Sequence, residues 1–478
     1  MAKTPIPLGG SDKDYNSVKS RQGVENLLAE VSADGTYATV RDGFGLSAPF
    51  ATLTDGPGRS NLFVNSGFIY CVAGDTLFRV DEFGTATSLG AVNGSGRAQI
   101  FANATPGDNQ IMILNGAGGA FVYTNGGGLV AVTDGDFFAT VSGTVINERG
   151  VFVRRNTNEF FLSDVSDFLA YNPLSFGSAE QDPDLVVAAI QKKSAVWFLN
   201  QRSTEYWQSI DNATLPLRPV TGASKERGLA AVGSLADAGE RIAWFADDNT
   251  VRLIEGQQMT KISDLDFELR VRGDGTPNFP GFSVTDDAIG FFIDGPVHKQ
   301  YVLTFPTEQY TWVYDFTTGV PHVRSSETLG FWRVGAATLF NNKLYGFDIN
   351  ANAALIYELD QNAKDENGAI MRRVLTLPSV SQPMDWTLPY VEIEMEVGQT
   401  TDPTANPVMI VEYSKDGGYT YTTHGQISLG DFGEQDNRVA LRHFGRIVRH
   451  KEFILRLTVT DATRVQFYQV WFDIEADV

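Results

Sequence analysis

Ser414, Asp416, Gly418 and Thr420, in the stretch SKDGGYTY, form an S-x-D-x-G-x-T pattern. That spacing suits a tight turn in which a hydroxyl and a carboxylate hydrogen-bond the turn's own backbone, since short Ser and Asp side chains reach amides a few residues on. The chemistry is structural, because both groups are occupied in holding the loop. The five histidines, His298, His322, His424, His443 and His450, have no metal-ligand spacing. His443 and His450 are an odd number of residues apart and fall on opposite faces of a strand. The single cysteine, Cys71, excludes an internal disulfide and a cysteine metal cluster, and in its apolar run it reads as a small buried hydrophobe. No Walker loop, zinc-binding histidine pair, nucleophile elbow or calcium loop occurs. GFGLSA at Gly43 lacks the strand and helix a dinucleotide loop needs and reads as a plain turn. Acidic residues are abundant enough to supply a glycosidase-like pair, but no spacing singles one out. No catalytic, cofactor-binding or metal-binding residue is therefore assigned.

Composition narrows the remaining classes. With 42% hydrophobic and 20% charged residues over 478 positions, the chain is that of an ordinary globular protein large enough for more than one core. No stretch approaches the roughly 20 apolar residues of a membrane span. The start, MAKTPIPLGGSDKDYNSVKS, has no apolar core of the secretory type, so the expectation is a protein that stays in the cell that makes it. The sequons at Asn93, Asn103 and Asn212 then carry little weight. Thirty-seven basic against 58 acidic side chains give a net charge of −21, which repels phosphate and argues against a nucleic-acid-gripping surface. One basic island stands out, with Arg442, Arg446, Arg449, Lys451 and Arg456 between Arg438 and Arg464. Its alternation with apolar residues is that of a solvated or interface-forming strand pair.

These residues must be positioned by strands. YCVAGDTLFRV, Tyr70 to Val80, reads as a hairpin turning at Gly74-Asp75. Similar turns fall near 116, 156, 200, 248, 295 and 341, giving steps of 42, 40, 44, 48, 47 and 46. A period in the forties with few helical signals is that of β-propeller blades, each of four short antiparallel strands, and seven units fit. Apolar first strands such as Val196-Trp197-Phe198-Leu199 suit sheets covered on both faces. SDLDFELR reads as a short inserted helix capped by Ser263. The period stops after Asp360, and LTLPSVSQPMDWTLPY reads as a linker. VEIEMEV then alternates, with Val391, Ile393, Met395 and Val397 on one face, pointing to a small antiparallel sandwich. The expected fold is all-β, with an N-terminal arm over 1–30, a propeller over 31–375 and a C-terminal β domain over 376–478.

The segments PIPLGGSDKDYNSVKSRQGVENLLAE, FLNQRSTEYWQSIDNAT and RHFGRIVRHKEFILRLTVTDATRVQFYQVWFDIEA resemble the packaged-DNA stabilisation proteins of short-tailed bacteriophages, the tail hub or nozzle family. Within them lie Ser203, Thr204, Glu205, Tyr206 and Trp207 after an apolar strand, and the step Gly445, Arg446, Ile447. The resemblance implies a virion protein without cofactor. It implies a homo-oligomeric, six-fold ring below the portal and adaptor that holds the packaged double-stranded DNA, lets it slide through the lumen, and docks fibres, spikes or needle. Two contact surfaces are candidates: the basic island at Arg442, Arg446, Arg449 and Lys451, and the step Glu205, Tyr206, Trp207, although two aromatics leaving a strand more often belong to a core. Two other readings stay open at this point, a propeller glycosidase acting on host surface polysaccharide and a peptide-binding propeller adaptor.

Overall fold

The hairpin at Gly74-Asp75 shows how the sequence builds its repeat. Gly74 takes a positive φ of 52°, and a Cβ there would lie 2.7 Å from the carboxylate of Asp55. That carboxylate accepts from the Asp75 amide at 3.1 Å and the Thr76 hydroxyl at 2.7 Å, so the turn needs glycine both for its backbone and for its neighbour. In the computed structural model, which describes residues 3–6, 8, 23–31, 38–103, 109–275, 280–350, 354–400, 404–434 and 439–476, this hairpin is the centre of a four-stranded meander. Its strands are Phe63–Asn65, Phe68–Ala73, Thr76–Val80 and Ala86–Ala91.

The same meander recurs over 99–131, 143–178, 186–219 and 236–261. A further one joins Val334–Phe340, Lys343–Asp348 and Leu355–Asp360 to Gly45–Thr52 from near the chain start. These are six self-contained four-stranded sheets. The stretch 289–324 also folds as a four-stranded meander, but its outer strand Pro321–Arg324 pairs with Gly23–Glu25, which pairs in turn with Arg373–Thr376. The expectation of seven alike blades is thus corrected to six self-contained blades, with the remaining repeat unit drawn into a nine-stranded sheet that runs on into the C-terminal domain. The repeat is also less uniform than the turn spacing suggests. The turns near 295 and 341 join the first and second strands of their units, whereas those at 74, 116, 156, 200 and 248 join the second and third. An insertion carrying the helix Leu265–Arg272 accounts for the slip. Its cap is Asp264, which accepts from the Phe267 amide at 2.9 Å; Ser263 instead donates to Glu268 at 3.0 Å.

Apolar clusters fill the gaps between successive units and, through Leu53, Ile69, Phe78, Phe347 and Ile356, between the last unit and the first, which closes the ring. Val196 to Leu199 are all at most 1% exposed. Full burial stabilises each such side chain by about 1.5–3 kcal/mol.

The C-terminal domain is two facing sheets. One runs Leu27–Val31, Ala38–Asp42, Gln466–Ala476, Trp386–Met395, Val439–Arg442, with Lys3–Ile6 and Arg446–Ile447 added at its sides. The other continues the shared sheet as Arg373–Thr376, Ile454–Val459, Val408–Ser414, Thr422–Ser428. Val391 and Ile393 point inward into the core cluster that also holds Leu457 of the facing sheet and Phe472 of the neighbouring strand, as their alternation requires. Strand pairing therefore puts Lys3–Ile6, Leu27–Val31 and Ala38–Asp42 with the sandwich, and the first strand paired within a blade is Gly45–Thr52, so the propeller begins at Gly45, not at 31. The stretch expected to be a linker is largely structured: Leu375, Leu377 and Trp386 lie in the sandwich core, and Pro389 sits where the register of its strand breaks between Thr387 and Tyr390. A bulge tolerates proline because no ladder amide is lost there.

Candidate functional site

The two surfaces expected from sequence have opposite fates. Glu205 is fully buried and Trp207 nearly so, in the strand Thr204–Ser209. The Trp207 indole donates to the Glu205 carboxylate at 2.9 Å, the Gln181 amide donates to the same group at 2.9 Å, and Tyr206 packs on Trp197. Burial raises the Glu205 pKa against these bonds. The step Glu205, Tyr206, Trp207 is thus an internal brace of a blade, not an exposed contact surface. This is the core placement that two aromatics leaving a strand usually take, and both Glu205 carboxylate oxygens have an internal donor.

The basic island, by contrast, is displayed. Leu441, Phe444 and Ile447 turn inward while Arg442, Arg446, Arg449 and Lys451 are exposed; Arg438 lies outside the described residues. Arg446 pairs with Asp385 at 2.6 Å, and the Arg449 amide donates to the same carboxylate at 2.9 Å, holding Asp385 below the usual carboxylate range. The Arg442 guanidinium lies 5.7 Å from the Tyr390 ring centre. The turn at 414–420 packs beside this face: Lys415 donates to the Arg446 carbonyl at 3.0 Å, and the Gly417 amide to the Glu452 carbonyl at 3.2 Å. Within the turn, the Ser414 hydroxyl donates to Asp416 at 2.6 Å and accepts from the Gly418 amide at 2.8 Å. Asp416 accepts from the Thr420 amide at 3.0 Å and the Thr420 hydroxyl at 2.6 Å. Its slight burial works to raise the carboxyl, but the bonds from Ser414 and Thr420 prevail and hold it at about 2. The turn presents Tyr419, 69% exposed.

A polar seam that sequence gave no hint of ties the domains together. His298, in a propeller turn, is fully buried between Asp315 at 2.5 Å and Glu30 of the sandwich strand Leu27–Val31 at 2.9 Å. Burial opposes the charged ring, but the two carboxylates outweigh it and raise its pKa. Nearby, burial and then Arg324 push His322 down to about 3. Asn26 donates to the carbonyls of Ser325 at 2.9 Å and Arg372 at 2.8 Å. Arg373 donates to Asp42 at 3.0 Å and to the carbonyls of Thr463 and Asp461.

On the propeller axis the first strands border a half-open cavity of about 430 Å³, to which every repeat unit contributes, among them Asn61, Ile100, Gly143, Ala189, Leu235, Phe291 and Ala337. Arg97 crosses it. Its Nη2 donates to the Gly335 carbonyl in the last unit at 2.9 Å, and its Cδ lies 3.4 Å from where a Cβ on Gly233 would stand. Among the described residues no group of His, Cys, Asp and Glu is arranged to hold a metal ion, and no helix is long and apolar enough to cross a membrane.

Fold and surfaces define the class: a β-propeller built onto a β-sandwich through a shared sheet, with its charged chemistry spent on internal bracing and on one exposed basic face. The family model described as Bacteriophage P22 Gp10, beta-propeller, matches residues 5–278, and that described as Bacteriophage P22 Gp10, beta-sandwich, matches residues 373–475. The chain belongs to this Gp10 family, the packaged-DNA stabilisation or tail hub proteins of short-tailed phages, and is a structural protein of a phage tail. No curated protein matches it by sequence. Among solved structures, it resembles a streptogramin B lyase at 10% identity and a TM-score of 0.43, covering 67% of this chain and 97% of that one. It also resembles the catalytically inactive virginiamycin B lyase from Staphylococcus aureus with quinupristin at 10% identity and 0.46 (66% and 99% covered). The third is BamB from Moraxella catarrhalis, at 10% identity and 0.38 (75% and 98% covered). None of these likenesses bears on what this chain does.

Proposed function

We propose that copies of this chain close into a six-fold ring in the virion tail, below the portal and adaptor, that surrounds the packaged DNA and docks the distal fibres, spikes or needle. Family membership carries the reading. The axial cavity supports the corollary that the DNA passes between copies: about 430 Å³ crossed by Arg97 is a small-molecule volume, not a duplex conduit. A chain with net charge −21 gives such a lumen the sign that repels phosphate and lets DNA slide. The exposed arginines Arg442, Arg446 and Arg449, with Lys451, form a basic face, and its partner is an acidic surface on a neighbouring copy or tail protein. A closed ring needs two different complementary faces on each subunit, and this is one of them. The protein acts by holding and docking, not by catalysis. Quantitative peptide mass spectrometry of purified virions tests the proposal. Half as many copies as a twelve-fold portal fit the six-fold ring, and absence from particles overturns it.

A further inference from the structure

An asparagine followed by glycine can react with its own main chain, because glycine sets no Cβ in the way of the amide nitrogen and leaves the backbone free to turn it onto the side chain. The chain has four such steps, at Asn93, Asn115, Asn125 and Asn367. The fold treats them differently. Asn115 is buried; its Oδ1 accepts from the Ala117 and Gly119 amides at 3.0 Å each and its Nδ2 donates to the Asn93 carbonyl at 2.6 Å, which locks the side chain away from the Gly116 amide. After Asn93 it is the nucleophile that is taken, since the Gly94 amide donates to the Asp75 carboxylate at 3.2 Å. Asn367 and Gly368 sit at positive φ, 53° and 84°, in a turn clamped by the paired backbone bonds between Glu366 and Ala369 at 2.9 and 3.1 Å. Asn125 is held by nothing of this kind. It is exposed in the three-residue loop between the strands Ala120–Thr124 and Gly128–Ala131, whose ladder ends at the pair Thr124 and Gly128. Neither its side chain nor the Gly126 amide makes a hydrogen bond among the described residues. A Cβ on Gly126 or Gly128 would meet nothing within 4 Å, so the loop has room to rearrange.

We infer that Asn125 is a site of self-modification, at which the Gly126 amide nitrogen attacks the Asn125 side chain and converts it to aspartate and isoaspartate. The amide gives its proton to hydroxide, the nitrogen bonds Cγ, and the Cγ–Nδ2 bond breaks to release ammonia and leave a cyclic imide. Water then opens the imide at either carbonyl. One opening restores the ordinary main chain with an aspartate; the other routes the main chain through the former side chain and lengthens it by a methylene. The balance is an amide and water giving a carboxylate and ammonium, with no oxidant and no further reactant. Each converted copy gains a negative charge at the turn between the third and fourth strands of its blade, and the isoaspartate form lengthens a loop whose size sets the register of that pair. The reaction needs one copy of the chain and stands apart from the ring reading.

The test is incubation of the full-length folded protein at mildly alkaline pH, followed by peptide mass spectrometry with fragmentation that separates aspartate from isoaspartate. Asn125 should convert at least about tenfold faster than Asn93 and Asn115, whose reacting groups are held out of line, and ahead of Asn367. Both products should form at Asn125, and Gly126→Ala should slow the conversion at least about tenfold by placing a Cβ on the attacking residue. In urea the four rates should converge, because each asparagine is followed by glycine and only the fold distinguishes them. Conversion of Asn93, Asn115 or Asn367 as fast as Asn125 in the folded protein overturns the inference, as does aspartate without isoaspartate, an unslowed Gly126→Ala protein, or an order of rates that persists in urea. The comparison of folded and urea-treated wild type stands whether or not Gly126→Ala folds.

Discussion

Replacing Arg373 by Met isolates the energetics of the joint between the N-terminal strands and the sandwich. Arg373 is 1% exposed and holds Asp42 at 3.0 Å, the Thr463 carbonyl at 2.5 Å and the Asp461 carbonyl. Met keeps most of the apolar stem and removes every donor. Asp42, 4% exposed, then retains only the Val465 amide at 2.8 Å and Lys364 at 3.2 Å. Removing one partner of a buried ion pair costs about 3–5 kcal/mol, and the surviving Lys364 places this case near the lower end. At about 2–4 °C per kcal/mol for a body of this size, the melting temperature should fall by roughly 6–12 °C. Scanning calorimetry of the full chain at neutral pH reads it. The double variant with Asp42→Asn should recover at least about 1 kcal/mol of the combined loss, because the uncompensated charge is gone. A loss below about 1 kcal/mol, or strict additivity of the two substitutions, refutes the reasoning.

Three further outcomes follow from the same structure. The raised pKa of His298 makes its clamp fully effective below the ordinary histidine value of about 6.5 and lost as pH rises through the higher folded value, so the melting-temperature gap between wild type and His298→Gln should narrow from pH ~6 to ~9. A pH-independent gap would contradict this; His322, depressed to about 3, titrates on the acid side of that window. Gly290→Ala would set a Cβ 2.1 Å from the Ser234 carbonyl oxygen, backbone that cannot yield cheaply, and chemical denaturation should register a loss of about 1–3 kcal/mol. The pair Arg446→Glu and Arg449→Glu breaks the exposed ion pair with Asp385 and should leave the circular dichroism spectrum unchanged, while incorporation into particles, read by immunoblot of purified virions, drops at least tenfold. Normal incorporation would remove the basic face from the proposal.

What was legible in the sequence was local. Tight turns and apolar runs gave the propeller and sandwich, and alternation placed Val391 and Ile393 inward, because both signals are read within a few residues. What escaped is tertiary. Glu30 meets His298 across 268 positions, Arg373 meets Asp42 across 331, and the Val465 amide meets Asp42 across 423. No periodicity marks such partners. The expected linker failed for a related reason: its prolines read as breaks, yet Leu375, Leu377 and Trp386 are core residues once the N-terminal strands cover them. The step Glu205, Tyr206, Trp207 leaves core and surface both open in sequence, because a carboxylate beside two aromatics carries no sign that the indole will satisfy it internally. Arg97 carried no signal, since its surroundings are assembled from the whole ring.

The strand Gly45–Thr52 completes a sheet begun by Val334–Phe340, and Leu27–Val31 and Ala38–Asp42 complete one that contains Gln466–Ala476. Synthesis delivers these early strands hundreds of residues before their partners exist. The propeller ring cannot close until Leu355–Asp360 has emerged from the ribosome, and the sandwich waits for Gln466–Ala476. Closing loops this long comes late and slowly in folding. Surfaces formed only on closure are therefore absent from any chain that has not yet made Gln466–Ala476.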